Sequence, residues 1–72
     1  MTEKINKSVG LHILSKRRGK GYTRKQLSKI IGISETSIAK WESGETNITF
    51  NNIVLLVEAI GLDFDEILRD LK

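Results

Sequence analysis

Five polar side chains fall close together near the middle of the chain: Ser34, Glu35, Thr36, Ser37 and Lys40. They are short hydrogen-bonding groups and one cation, a set that suits recognition of a patterned polar surface rather than the making of bonds. Chemistry of the second kind has little to work with. There is no cysteine, only one histidine (His12), no cluster with metal-ligand spacing and no nucleophile–base pair. The acids Asp63, Asp65 and Glu66 read as the start of a helix stabilised by its dipole. No enzymatic activity and no cofactor or metal is expected.

Two short helices must position the five residues. Thr23 is a good N-cap, and Leu27, Ile30 and Ile31 follow at the i, i+3, i+4 spacing of one buried face. Gly32 can adopt the left-handed conformation that ends a helix, and Ile33 then turns back into the core. Ser34 caps the next helix, where Ile38 and Trp41 sit three apart on a second apolar face. Glu35, Thr36, Ser37 and Lys40 are left pointing outward on a helix too short to be a core element. The pattern over residues 23–42 is a helix-turn-helix motif whose second helix would enter a DNA major groove.

Charge distribution agrees with a phosphate-facing role. The net charge is only +3, but residues 1–40 hold ten Lys/Arg against Glu3 and Glu35, while residues 41–72 hold Arg69 and Lys72 against seven acids. The front half is therefore basic and the back half acidic, with the motif in the basic half. At 72 residues the chain is expected to form one domain (1–72), near the lower limit for a self-sufficient core, where dimerisation often helps. No apolar run approaches the ~18 residues of a membrane span, and strand-like alternation is hard to find. The expected class is all-α, in a cytoplasmic setting.

The rest of the chain supplies three more helical segments. Residues 1–6 are expected to be a flexible lead-in, with Ile5 able to pack back, and the first helix to run from about residue 7 to residue 18. Val9, Ile13 and the stems of Lys16 and Arg17 face its core, and His12 is read as a surface residue. After a polar turn at Glu45, Thr46 and Asn47, Ile48 anchors the chain and Thr49 caps a fourth helix ending near Gly61. Phe50, Ile53, Leu56, Val57 and Ile60 form its core stripe, leaving Val54 and Leu55 apolar on the outward face. Asp63 and Glu66 suggest a capping box for a fifth helix, with Phe64 and Ile67 as core. Leu55, Leu62 and Leu71 are candidates for a dimer seam, with plain core the competing reading.

Arg17, Thr23, Leu27, Gly32-Ile33-Ser34, Ile38, Trp41-Glu42 and Gly44 together resemble the lambda-repressor-like, Cro-type helix-turn-helix regulators. The likeness continues through Asn47-Ile48-Thr49-Phe50, Leu56, Ala59-Ile60-Gly61-Leu62 and Glu66-Ile67-Leu68, and covers about residues 9–68. The small size and the Asn47-Ile48-Thr49 run also resemble restriction-modification controller proteins. The resemblance implies a compact five-helix domain with the motif at helices 2 and 3. It implies a sequence-specific, DNA-binding transcriptional regulator of bacterial or phage origin, acting as a homodimer on a two-fold operator.

It further implies that base edges are read by Ser34, Glu35, Thr36, Ser37 and Lys40. Lys40 can donate to guanine O6 and N7, and Thr36 or Ser37 can bond several bases or touch a thymine methyl. Glu35 departs from the glutamine or arginine common there; it can accept from cytosine N4 but repels phosphate. Phosphate contacts are expected from Arg24, with Lys25 and Lys29 beside it, and from Ser43, Thr46 and Asn47. The family pairs residues matching Arg17 and Glu42 as an ion pair, which would orient Arg17 toward phosphate. Activators of the family also touch RNA polymerase, here through the segment from Glu42 to Leu62. The competing expectation keeps the fold but makes the chain a protein-binding module, an antitoxin or adaptor, engaged through Val54 and Leu55.

Overall fold

The computed structural model describes residues 2–71, with Thr2 described by its backbone alone. Five helices follow one another: α1 Thr2–Gly19, α2 Arg24–Ile31, α3 Glu35–Ser43, α4 Phe50–Ile60 and α5 Phe64–Asp70. There is no strand among the described residues, so the fold is all-α as expected. α1 packs against α3, α4 and α5, while α2 packs against α3 and α4. The core they enclose is Val9, Ile13, Leu27, Ile38, Trp41, Leu56, Ile60, Leu62 and Ile67.

Most helix boundaries follow from local chemistry. Thr23, Ser34 and Thr49 each accept a backbone N–H of the first turn through the side-chain hydroxyl, a bond whose loss typically costs about 1 kcal/mol. Thr23 also forms a full capping box, because the Gln26 side chain accepts from the Thr23 N–H at 2.8 Å. Between α2 and α3 the chain turns at Gly32, whose φ of +73° is the left-handed conformation that a side chain would strain.

Several expectations need correction. α1 begins at Thr2, not near residue 7, so residues 2–6 are helical rather than a lead-in (Met1 lies outside the described residues). Asn6 donates to the Asn47 side chain across the α3–α4 loop at 2.7 Å, a partner far along the chain. Ile5 remains exposed instead of packing back. Ile30 is exposed too, since α2 buries Leu27 and half-buries Ile31. On α4 only Leu56 and Ile60 are fully buried; Val57 is exposed and Phe50 is 71% exposed. Phe64, read as core, also shows much of its ring to solvent.

His12 is not a free surface residue. Its Nε2 lies 2.7 Å from Asp70 Oδ2 and its Nδ1 3.9 Å from Glu66, which also pairs with Lys16 at 3.3 Å. α5 is therefore tied to α1 by a polar cluster. Asp63 does cap α5, accepting from the amides of Asp65 and Glu66. Glu66 turns to Lys16 instead of completing the box.

Candidate nucleic-acid interface

α3 is held from behind by three buried residues, Ile38, Trp41 and Glu42. The bracing is closest where α1 crosses its C-terminal end. A Cβ on Gly10 would lie 2.7 Å from the Glu42 carbonyl oxygen, so the backbones meet where only a glycine fits. The Lys7 backbone approaches Gly44 similarly, with its Cα 3.1 Å from a Cβ built there. Trp41 is core, as its spacing from Ile38 indicates, and offers no platform for a base.

Thr36 and Lys40 are exposed on the side opposite that buried face, and Glu35 is exposed at the first turn of α3. Ser34 and Ser37 are less free. The Ser34 hydroxyl accepts from the Ser37 amide at 3.2 Å and donates to the Ser37 hydroxyl at 3.0 Å. Ser37 is half-buried but keeps its own hydroxyl proton for a partner. Thr36, Ser37 and Lys40 thus fall together on one side of α3, while Ser34 and Glu35 lie at its start.

The candidate phosphate contacts divide sharply. Arg17 is buried, with its side chain 8% exposed. Its guanidinium donates to Glu42 Oε2 at 2.7 Å, to Glu42 Oε1 at 3.1 Å and to the Tyr22 carbonyl at 2.9 Å. The ion pair that the resemblance implied is present, but it turns Arg17 inward, and the expectation that Arg17 meets phosphate is corrected. Arg24 takes the other position. Its Nε donates to Glu42 Oε1 at 2.8 Å while its side chain stays 48% exposed. One carboxylate, itself 3% exposed, therefore serves two arginines of opposite burial. Burial alone would raise the Glu42 pKa, but the hydrogen bonds from Arg17 and Arg24, and then their charges, hold it below the ordinary carboxylate value.

Lys25 and Lys29 are exposed along α2, one turn apart. Ser43, Thr46 and Asn47 are exposed around the end of α3. The Ser43 hydroxyl donates to the Lys40 carbonyl at 3.0 Å, and the Asn47 Oδ1 accepts from Asn6, leaving the Asn47 amide group free to donate. Because Arg24 reaches Glu42, the start of α2 lies beside the end of α3, and Arg24 and Ser43 belong to one neighbourhood.

Of the dimer-seam candidates, Leu55 is exposed on α4. Leu62 is 3% exposed within the core and offers no surface, which corrects that expectation. Leu71 is half-buried against the core. The exposed apolar surface of α4 is instead Phe50, Val54, Leu55 and Val57. Sequence reasoning also missed Gly10, which left a trace as a glycine inside a helical pattern. Asn6 left none, since its role depends on α1 reaching the α3–α4 loop.

With this geometry in view, residues 13–67 match the family model described as helix-turn-helix. The chain belongs to the helix-turn-helix family. The chain is 30% identical over 70 residues to an uncharacterised HTH-type transcriptional regulator of Rickettsia conorii, covering 97% of this chain and 56% of that protein. It is 36% identical over 55 residues to the cryptic phage CTXphi transcriptional repressor RstR of Vibrio cholerae, covering 76% of this chain and 49% of the repressor. The chain thus spans about half the length of these relatives.

Two solved structures share its fold. The clp gene regulator ClgR of C. glutamicum superposes with a TM-score of 0.78 at 20% identity, covering 89% of this chain and 83% of that one. The restriction-modification controller protein C.AhdI of Aeromonas hydrophila gives 0.76 at 22% identity, covering 86% and 94%. Among the described residues no helix is long and apolar enough to cross a membrane.

Proposed function

We propose that this chain is a sequence-specific DNA-binding transcriptional regulator that places α3 in the major groove and acts as a homodimer on a two-fold operator. The observation that carries the reading is the two-sidedness of α3. Ile38, Trp41 and Glu42 are buried, and Glu35, Thr36 and Lys40 are presented outward on a rigidly braced element. Ser34, Glu35, Thr36, Ser37 and Lys40 read base edges. Arg24, Lys25, Lys29, Ser43, Thr46 and Asn47 meet phosphates on either side. The relatives named as transcriptional regulators and as a phage repressor support the same role. A cytoplasmic, nucleoid-associated location follows from that role.

So few base-reading residues specify only a short half-site, which is why a symmetric pair is part of the reading. The exposed apolar residues of α4 supply an interface for it. They also favour a second reading, in which the same fold binds another protein as an antitoxin or adaptor, or touches RNA polymerase while on DNA. A salt-titrated binding assay on a randomised duplex pool separates these. The regulator reading expects enrichment of a near-palindrome with half-sites about one helical turn apart and affinity that falls steeply with salt. No enrichment at any salt concentration sinks it.

A further inference from the structure

Charge at the start of α2 runs against what a helix prefers by itself. The positive end of a helix dipole is normally matched by acidic residues, yet the first turn of α2 holds none and carries Arg24 and Lys25. The missing counter-charge comes from another helix. Glu42 of α3 accepts from Arg24 Nε at 2.8 Å, and that carboxylate is itself fixed by two bonds from Arg17. The arrangement is asymmetric in its unused capacity. Arg17 spends donors on Glu42 and on the Tyr22 carbonyl and is buried. Arg24 spends only Nε, and neither of its Nη groups has a hydrogen-bond partner among the described residues. Two guanidiniums and one carboxylate leave one net positive charge, and its only exposed outlet is the outer edge of Arg24.

We propose that Glu42 is a positioning residue for phosphate binding: locked in place by Arg17, it holds Arg24 by Nε so that the Nη1–Nη2 edge is presented, already oriented, to a DNA phosphate. The inference rests on the DNA-binding reading above and assigns within it a role to a residue that never touches DNA. An end-on guanidinium edge offers two parallel N–H donors to phosphate oxygens. The amides of Arg24 and Lys25, at the first helical positions of α2, have no intrahelical acceptor and add to the attraction for an anion. Holding Nε beforehand removes rotamer freedom that a free arginine would lose on binding. Glu42 does not repel the phosphate, because its charge is buried and more than offset by the two arginines.

The test is a double-mutant cycle read in DNA affinity and salt slope, with thermal stability followed in parallel. Wild type, Arg24→Ala, Glu42→Gln and the double variant are titrated against the same duplex. Arg24→Ala is expected to weaken all sequences alike and to flatten the salt slope by about 0.9 for each phosphate it leaves unneutralised. Glu42→Gln is expected to weaken binding several-fold in the wild-type background and less than twofold in the Arg24→Ala background, although it lowers stability in both. Equal weakening in both backgrounds, or none in either, overturns the proposal.

Arg24→Lys covers the case in which Glu42→Gln fails to fold, since it leaves the buried pair intact. One ammonium can serve Glu42 or a phosphate but not as an oriented fork, so affinity should fall most of the way to that of Arg24→Ala. Binding equal to wild type would show that charge alone suffices and overturn the proposal. A wild-type protein that binds no duplex fails the DNA-binding reading itself, a different result from an uncoupled cycle.

Discussion

α3 and α4 are built alike at their ends and unlike on their faces. Each starts at a hydroxyl N-cap and stops at a left-handed glycine, Gly44 or Gly61. α3 turns Glu35, Thr36 and Lys40 to solvent, whereas α4 turns Phe50, Val54, Leu55 and Val57. Directional hydrogen-bonding groups repay rigid positioning, and α3 is the helix with a close glycine approach and a buried ion pair at its back. An apolar face needs only to be covered, and α4 has no such bracing at Phe50. On the proposed reading, the difference suits the two helices to different kinds of partner: one matched group by group, the other by exclusion of water.

The most disruptive way to break the comparison is to remove the brace of α3. Glu42→Ala leaves Arg17 buried without its counter-charge, and truncating one member of a buried pair typically costs about 3–5 kcal/mol. Chemical denaturation of the variant against wild type measures it. The same carboxylate gives an acid sensitivity of definite sign. Its pKa is lower in the folded chain than the ordinary glutamate value of 4.5. Its stabilisation is thus complete above that value and is lost as pH falls through it toward the lowered folded pKa. Melting temperatures between pH 7 and pH 3 should fall for wild type, and Glu42→Gln, if it folds, should lack that part of the fall.

Next in size is Gly10→Val, which forces a side chain against the Trp41 and Glu42 carbonyls. Overpacking costs typically 1–3 kcal/mol, and because the obstacle is backbone we expect about 3 kcal/mol, seen as a lower melting temperature. DNA affinity should drop as well, since α3 can relieve the clash only by moving. A variant that melts like wild type would mean that α1 and α3 are not held at this distance.

Lys40→Ala probes the outward face without touching the brace. Its effect on folding should be within about 0.5 kcal/mol, as for most surface changes. On the DNA-binding reading it removes about 1–3 kcal/mol of discrimination at one base position. The selected site should lose its preference there while affinity for unrelated duplexes changes little. An unchanged preference would remove Lys40 from the base-reading set and leave Thr36 and Glu35 as the main readers.

How much of the molecule is legible in its sequence depends on whether the signal is local. Thr23, Gly32, Ser34, Thr49 and Gly61 mark helix ends by their own chemistry, and the structure places them as the sequence indicates. Which apolar residues face inward is less legible. Helical spacing marks a stripe but not how wide a neighbour will cover it, so Ile30, Phe50, Val57 and Phe64 read as inward yet lie exposed, while Leu62, open between dimer seam and core, lies in the core. The Arg17–Glu42 pair is legible through resemblance. That Arg24 joins it is not, because nothing in the sequence says that the start of α2 meets the end of α3. His12 and Asp70, 58 residues apart, cannot be connected for the same reason.

The smallest effect we expect tests the α4 side alone. Phe50 is 71% exposed, so replacing it with serine removes little from the core, and folding of the monomer should change by no more than about 0.5 kcal/mol. If a second copy covers this face, the phenyl ring is lost from an interface, and association should weaken by about 1–2 kcal/mol, or roughly tenfold. Sedimentation over a range of concentrations would show the monomer appearing at higher total protein than in wild type. Binding to a full two-fold site should weaken with it, while binding to an isolated half-site stays the same. A sedimentation profile identical to wild type would leave the Phe50 end of α4 outside any self-interface. Unchanged half-site binding together with weakened full-site binding would separate the two helices by function: α3 would set which sequence is read, and α4 how many copies read it.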